Sequence, residues 1–256
     1  NHIKPVDIAR MEENSYLYIC SNETVNGIEY QENKICYPVV DRIKNNKLIV
    51  DMSSDFLMKK VPWEKIDVAF SCSSKNMGTS GLNIVVIRKN LLEHISENEV
   101  KKEIPSILNW QTYSETKSLY NTPAIFNLYV IDKLLQYYSS FGNIEYFDQQ
   151  TKEKGDIVYN YLDKSVLFQA QINDKMSRSN INIPFIVNNG CSEMRNKFLH
   201  FCYLNNVVGL RTKTPFSYED MNLVEPLRIN IYNGVTLEQT KKIISYLHKF
   251  EQLYFT

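Results

Sequence analysis

The sequence predicts an α/β protein in two parts, a larger α/β part followed by a smaller α+β part. In the first half, short apolar runs rich in β-branched residues alternate with turn-rich gaps. Near-continuous apolar runs of this kind suit strands that are buried on both faces of an α/β sheet. Polar or small residues follow each run, and between residues 145 and 160 the pattern of alternation changes. These observations place a sheet first and a separate, smaller unit after it.

Four segments of the first half are predicted strands. They cover residues 15–20, 47–51, 66–70 and 82–88. Open α/β sheets bind ligands at the carboxyl ends of their strands, which is where the polar or small residues that follow each run lie. The stretch 71–82 is small and polar, and its two glycines permit turns that other residues resist. It is therefore predicted to be a loop between the third and fourth strands.

Helices dominate the predictions that follow. Apolar positions at helical spacing predict a helix over residues 123–142, which Gly142 ends. A second helix is predicted over residues 146–162. The remaining predicted elements are strands at 166–172, 183–187 and 227–232 and helices at 192–205 and 237–253. Thr236 and Gln239 have the spacing of a capping box, which predicts the start of the last helix.

Composition excludes several classes of protein. The chain has 29 basic and 29 acidic side chains, so it lacks the basic excess typical of nucleic-acid binding. No apolar run approaches the roughly 18 residues of a membrane span, and the first residues do not have the pattern of a secretion signal. The five cysteines are odd in number and have no paired spacing, which argues against a disulfide scaffold or a metal site. We therefore expect a cytoplasmic protein with reduced cysteines.

Two charged residues stand where ligands bind in such sheets. Asp51 ends one predicted strand, and Lys75 lies in the loop after another. The two side chains can form a structural ion pair. They also suit the cofactor pyridoxal phosphate (PLP), which needs a lysine amine that bonds to its aldehyde and a carboxylate that keeps its pyridine nitrogen protonated. Their positions alone leave both interpretations open.

Several sequence segments occur together in an order that is characteristic of one enzyme family. They are residues 18–27 (YICSNETVNG), 50–55 (VDMSSD), 74–78 (SKNMG), 118–123 (SLYNTP), 178–185 (RSNINIPF), 227–233 (LRINIYN) and the closing Leu-Glu-Gln helix. From about residue 14 to residue 250, the chain resembles the phosphoserine aminotransferases, class V aminotransferases of PLP fold type I. The resemblance implies that residues 1–150 are the C-terminal part of the large mixed-sheet PLP-binding domain. Residues 151–256 would then be the small C-terminal α+β domain.

The resemblance implies roles for four residues around PLP. Thr24 would donate a hydrogen bond to the phenolic oxygen of the cofactor, and Asp51 would pair with its pyridine nitrogen. Lys75 would be the catalytic lysine that carries the cofactor covalently. Ser74 stands where the family usually has a glutamine that contacts the cofactor phosphate, and its hydroxyl is a shorter donor.

The Asn-Thr-Pro segment of this family reaches across a dimer interface to the partner's cofactor phosphate. Asn121 and Thr122 would therefore serve the neighbouring subunit, which implies a homodimer with shared active sites. The same residues precede Pro123, so they are also candidates for the N-cap of the predicted helix.

The resemblance also implies a substrate site. Arg228 would bind the substrate α-carboxylate, for which its two-pronged guanidinium is suited. A His-Arg pair reads the substrate phosphate in this family, whereas this chain has Lys213 and Thr214 in the matching stretch. Lys213 supplies a single ammonium charge and lacks the two-pronged guanidinium of an arginine. Specificity for a phosphorylated substrate is therefore less well supported than PLP chemistry.

The implied reaction is amino transfer between glutamate and the phosphorylated 2-oxo acid 3-phosphohydroxypyruvate, in serine biosynthesis. Two alternatives stay open. The altered residues at Lys213 and Thr214 favour another class V enzyme with a non-phosphorylated substrate. The chain also begins partway into the family pattern, without the glycine-rich turn and the stacking aromatic, so an inactive, truncated chain is the second alternative.

Overall fold

The structure is a computed structural model that describes residues 11–31, 36–41, 44–97, 104–187, 191–210 and 226–255. Its strands are β1 (Tyr16–Cys20), β2 (Asn22–Glu23), β3 (Ile28–Glu29), β4 (Lys47–Asp51), β5 (Val68–Cys72), β6 (Asn83–Ile87), β7 (Phe168–Ala170), β8 (Asn182–Val187) and β9 (Leu227–Asn230). Its helices are α1 (Lys89–Glu97), α2 (Trp110–Glu115), α3 (Ile125–Ser139), α4 (Ile144–Leu162), α5 (Ser192–Leu204) and α6 (Leu237–Phe255), and a 3-10 helix covers Ser106–Leu108.

A four-stranded mixed sheet forms the first part, in the order β1-β4-β5-β6. The first three strands are parallel, and β6 runs antiparallel to β5. Cys20 lies opposite Asp51, and Asp51 lies opposite Phe70. The carboxyl ends of the three parallel strands therefore meet at one edge, which is where an α/β sheet binds ligands. The predicted α/β fold with a mixed sheet is confirmed.

Burial of this sheet differs from the prediction, because the described residues cover most of one face and leave much of the other exposed. Leu48 and Val50 are 0% exposed and belong to a hydrophobic cluster on the covered face. On the other face, Tyr16 is 65% and Val85 is 42% exposed. Side chains alternate between the faces of a strand, so one strand contributes to both environments. We call the second face, with Tyr16, Tyr18, Asp51, Phe70 and Val85, the open face.

The second part is built on a three-stranded antiparallel sheet in the order β7-β8-β9. Helices α4, α5 and α6 pack around it. Its core is dense in aromatic rings that are 0% exposed, namely Phe168, Phe185, Phe198 and Phe250. The short strand β7 covers only the middle of the predicted segment 166–172.

Several boundaries and elements differ from the prediction. β5 begins at Val68 and not at residue 66, because Asp67 turns its carboxylate to accept a hydrogen bond from the Leu48 amide at 2.9 Å. The hairpin β2–β3 and the helices α1 and α2 were not predicted. The capping box is confirmed, since Gln239 N donates to Thr236 Oγ1 at 3.1 Å and Thr236 N donates to Gln239 Oε1 at 2.8 Å.

Helix α4 connects the two parts, and the predicted boundary at residue 150 falls inside it, so the division into domains stays a prediction. Thr151 donates to the Met58 carbonyl at 3.1 Å. Lys154 donates at 3.0 Å to three carbonyls of the turn after β9. Burial lowers the pKa of Lys154 to about 8. The helix thereby fixes the end of β9 relative to the first sheet.

None of the helices among the described residues is long and apolar enough to cross a membrane. No group of three or more His, Cys, Asp or Glu side chains among these residues could hold a metal ion.

Candidate active site

Lys75 lies on a closed loop between β5 and β6. Ser73 closes the base of the loop, with its amide bonded to the Leu82 carbonyl at 3.0 Å and its hydroxyl bonded to the Thr79 carbonyl at 2.5 Å. Gly78 and Gly81 both have positive φ, +111° and +115°, which side-chain-bearing residues rarely adopt. The side chain of Lys75 is exposed, so its amine is accessible.

Thr24 is the hydrogen-bond partner of that amine. Lys75 Nζ donates to Thr24 Oγ1 at 3.1 Å, across 51 positions of sequence. Thr24 begins the tight turn between β2 and β3, and Gly27 ends it with φ +67°. A Cβ at Gly27 would lie 2.2 Å from the Pro184 ring, so only glycine allows this turn to pack against β8. The hairpin therefore holds Thr24 between the two sheets.

Arg228 approaches the same residue from β9. Its Nη1 donates to the Thr24 carbonyl at 2.9 Å. Its Nε is buried and has no hydrogen-bond partner among the described residues. A buried guanidinium donor without a partner is costly, and a carboxylate ligand would satisfy it. The structure thus brings three of the predicted site residues, Thr24, Lys75 and Arg228, into one hydrogen-bonded group.

Asp51 ends β4 on the open face. Its Oδ1 accepts from the Ser53 amide at 2.8 Å, and its Oδ2 accepts from the Tyr18 hydroxyl at 3.2 Å. Partial burial and the nearby Asp51 charge raise the pKa of Tyr18 to about 12, so Tyr18 remains a donor. In this described part of the chain, Asp51 forms no ion pair with Lys75, and the alternative of a structural Asp51–Lys75 pair is wrong. The loop carries the Lys75 amine to Thr24 instead.

Ser74 is exposed beside Lys75. Its hydroxyl donates to Cys72 Sγ at 3.3 Å. Partial burial disfavours the Cys72 thiolate, but hydrogen bonds from Ser74 and Ser53 and the Lys75 charge together lower the pKa of Cys72. The hydroxyl of Ser74 remains at the surface of the loop, where it can turn toward a ligand.

Asn121 and Thr122 are exposed and lie before α3, and the described contacts do not join them to Lys75. The N-cap of α3 is Ala124, which has no side-chain capping bond. The prediction that Asn121 or Thr122 caps this helix is therefore wrong, because Pro123 and Ala124 separate them from its first turn. Lys213 lies outside the described residues.

Sequence reasoning missed several polar residues around this group. Tyr18 holds the Asp51 carboxylate, Asn76 lies in the loop of Lys75, and Tyr138 and Asn233 bond to Asn76. For Tyr18 a signal was available, since it is two residues before the strand end that pairs with Asp51 in a parallel sheet. The other three are brought together by contacts between distant segments and leave no local pattern.

Comparison with known proteins agrees with the predicted resemblance. A family model described as aminotransferase class-V matches residues 3–243. The phosphoserine aminotransferase of Halalkalibacterium halodurans is 32% identical over 241 residues, which are 94% of this chain and 61% of that protein. The chain therefore spans about three fifths of the length of the curated relatives it matches.

Solved structures give the same result. The phosphoserine aminotransferase from Bacillus circulans subsp. alkalophilus superposes with a TM-score of 0.80 at 28% identity, covering 93% of this chain and 60% of that one. A PLP-bound phosphoserine aminotransferase from Trichomonas vaginalis superposes with a TM-score of 0.76 at 29% identity, covering 91% of this chain and 60% of that one. The predicted fold type and family resemblance are confirmed.

Proposed function

The chain belongs to the class-V aminotransferase family, and we propose that it carries the C-terminal part of a PLP-dependent phosphoserine aminotransferase. The reaction is amino transfer between glutamate and 3-phosphohydroxypyruvate, a step of serine biosynthesis. One observation carries the proposal: the Lys75 amine and the Arg228 guanidinium both bond to Thr24, at 3.1 Å and 2.9 Å. Lys75, the proposed covalent anchor of the cofactor, and Arg228, the proposed receptor of the substrate carboxylate, thus contact the same residue.

The residues present fit PLP and an amino-acid substrate. An exposed amine is available at Lys75, and Asp51 offers a carboxylate on the open face of the same sheet. The buried Arg228 Nε lacks a partner among the described residues, which suits an incoming carboxylate. Each of these groups has the chemistry that the cofactor or the substrate needs.

When bound, PLP supplies an electron-withdrawing ring that makes a proton on the substrate Cα acidic. Lys75 holds the cofactor and, once its amine is free, moves that proton as a general base. Asp51, oriented by Tyr18 and the Ser53 amide, holds a proton on the pyridine nitrogen. Thr24 accepts from Lys75 and still has a hydroxyl hydrogen to donate to the phenolic oxygen. Arg228 orients the substrate through its carboxylate.

The phosphate of the cofactor has fewer candidates within one chain. Ser74 can donate from the loop of Lys75. Asn121 and Thr122 are exposed near the start of α3, which supports our proposal that they serve the cofactor phosphate of a second copy in a homodimer. We also propose that the enzyme is cytoplasmic.

The second candidate is a class-V aminotransferase for a non-phosphorylated amino acid. Lys213 and Thr214 in place of a His-Arg pair favour it. Amino-transfer rates with phosphoserine, serine and alanine distinguish the candidates. A clear advantage for phosphoserine supports the first, and equal rates with serine or alanine support the second.

PLP chemistry is tested by adding PLP, reducing with borohydride and mapping the labelled peptide. We expect a visible absorbance band and a label on Lys75. Lys75→Ala removes both. Lys89→Ala changes an exposed lysine on α1 that forms an ion pair with Glu93 at 3.7 Å, and it leaves both unchanged. Labels scattered over surface lysines would contradict the proposal.

Because the chain spans about three fifths of the length of its relatives, the same labelling is repeated on a longer form that adds the family segments outside this span. Labelling of the longer form alone would show that those segments are needed to hold PLP. Failure of both forms would favour the inactive alternative.

A further inference from the structure

Asn76 directly follows the proposed cofactor lysine and is 5% exposed, whereas the side chain of Lys75 is exposed. Two consecutive residues of one loop therefore have opposite environments. A buried asparagine must place its amide group against partners that match both its donor and its acceptor. Its contacts consequently fix the loop at the position next to Lys75.

The polar groups of Asn76 reach three separate segments. Its carbonyl accepts from the Tyr138 hydroxyl on α3 at 2.8 Å. Its Nδ2 donates to the Phe56 carbonyl, five residues after Asp51, at 2.8 Å. Its Oδ1 accepts from the Asn233 amide, in the segment after β9, at 3.2 Å. One side chain and its backbone thus join the loop to helix α3, to the turn after β4 and to the turn after β9.

Asn233 also bonds to the turn that Asn76 contacts. Its Nδ2 donates to the Leu57 carbonyl at 2.9 Å, next to the Phe56 carbonyl that Asn76 holds. Leu57 has φ +62°, a conformation that is unfavourable for a branched side chain and persists only where surrounding contacts hold it. The two amides therefore fix successive carbonyls of a strained turn.

We propose that Asn76 is a positioning residue that sets the Lys75 loop against the segment of Arg228. Asn233 lies five residues after Arg228, so the segment of β9 is bonded at two points, to the Lys75 loop through Asn233 and Asn76 and to the turn of the β2–β3 hairpin through Arg228 and Thr24. Two connections fix an orientation, whereas one allows rotation about it. This inference rests on the proposed function, because Lys75 and Arg228 act on one substrate only if their separation is constant.

The test compares Asn76→Ala and Tyr138→Phe with the wild type, in the form of the chain that captures PLP in the labelling experiment. Wild-type capture of PLP on Lys75 by borohydride is established first. We expect the PLP concentration for half-saturation to rise about tenfold in Asn76→Ala and about threefold in Tyr138→Phe, which loses one hydroxyl and retains its ring. In Asn76→Ala the KM for the amino donor also rises, although Arg228 is unchanged.

Asn205→Ala is the matched control. Asn205 Nδ2 also donates to a backbone carbonyl, that of Phe201 at 2.8 Å, at the end of α5. This variant lowers the thermal midpoint of the protein without PLP but leaves half-saturation and KM unchanged. If Asn76 had a purely structural role, Asn76→Ala would likewise lower only the thermal midpoint. A PLP concentration for half-saturation within about twofold of the wild type in both test variants would overturn the inference. Wild-type protein that fails to capture PLP would overturn the proposed function and this inference with it.

Discussion

The two sheets of this chain differ in how completely the described residues cover them. In the second sheet, five of the six residues of β8 are buried, and aromatic rings fill the space beneath α5 and α6. In the first sheet, the buried face holds Leu48 and Val50, while the open face leaves Tyr18 57% exposed. Asp51 belongs to that open face.

The second sheet is therefore suited to stabilise the fold, and the first sheet is suited to bind ligands. The second sheet has the dense apolar packing that dominates folding free energy. The first sheet presents accessible polar groups at its strand ends, which cofactor binding requires. We therefore expect core substitutions in the second part to affect folding most strongly, and substitutions on the open face to affect folding little.

The largest effect is expected from Phe198→Ala. The Phe198 ring is 0% exposed and lies 4.8 Å from Phe168 and 5.1 Å from Phe250 between ring centroids. Removing it leaves a cavity, so the free energy of unfolding falls by about 4 kcal/mol, measured by urea denaturation. Tyr16→Ala on the open face costs less than about 0.5 kcal/mol. Equal losses would remove the contrast between the sheets.

A slightly smaller effect is expected where the two parts meet. Lys59 is buried between Glu29 at 2.8 Å and Asp55 at 2.9 Å, and Glu29 also accepts from the Asn180 amide. Burial alone would lower the pKa of Lys59, but the two carboxylates raise it well above its ordinary value. Lys59→Met leaves two buried carboxylates without their cation, which costs about 3 kcal/mol in urea unfolding.

The control for that change is Lys89→Met, which removes an exposed ion pair with Glu93 at 3.7 Å. It costs under about 0.5 kcal/mol, because solvent screens exposed pairs. If Lys59→Met were equally mild, the contact region between the two parts would contribute nothing to stability.

Gly27→Ala tests the packing of the Thr24 turn on β8. Gly27 and Gly142 both have positive φ, but only Gly27 has an atom within 4 Å of a Cβ, at 2.2 Å on the Pro184 ring. Gly142→Ala therefore reports backbone strain alone, about 1 kcal/mol, and Gly27→Ala costs about 1 kcal/mol more. Thermal denaturation of the pair measures the difference, and identical midpoints would show that the turn can move away from β8.

The smallest effect concerns Glu251 on α6, which accepts from Tyr161 at 2.7 Å and from the amides of Val166 and Leu167. Partial burial would raise the pKa of Glu251, but these hydrogen bonds and one from Ser165 lower it below its usual 4.5. Its stabilisation is therefore complete above pH 4.5 and is lost as the pH falls through the lowered pKa.

Glu251→Gln is expected to cost about 1 kcal/mol at neutral pH, given its partial exposure, and nothing in strong acid. Urea unfolding at several pH values measures this, with Glu13→Gln, at an exposed position, as the control variant. A Glu251→Gln cost that stays constant down to strong acid would rule out this coupling.

Much of the fold could be predicted because its signals are local. Apolar runs marked β4, β8 and β9, and the capping box marked the start of α6. Helix α1 was missed because Arg88, the residue before it, offers no capping side chain. Each strand of the β2–β3 hairpin is too short for an alternating pattern. Exposure of β6 could not be predicted, since a Val/Ile run has the same sequence whether one face or two are covered.

For the candidate site, the resemblance pointed to Thr24, Lys75 and Arg228, which the structure brings together. The capping role of Asn121 and Thr122 was wrong because α3 begins at Ile125, and a shift of two residues is enough to separate a candidate cap from the first turn. Asn76 was missed because its partners lie far away in sequence, with 62 positions to Tyr138 and 157 to Asn233. Single-sequence patterns contain no information on such pairs.

The bonds that join the β2–β3 hairpin to the second sheet also have a consequence for the order of folding. Asn22 reaches Asn182 across 160 positions, and Arg228 reaches Thr24 across 204. Closing such long loops costs chain entropy before any contact repays it, whereas β7 and β8 pair over a much shorter separation. We expect the site to assemble last, on a second sheet that has already formed. In pulse-labelled hydrogen exchange during refolding, the β8 amides would then be protected before the Ser179 amide, which donates to the Gly27 carbonyl at 2.9 Å. Simultaneous protection would show a single concerted step.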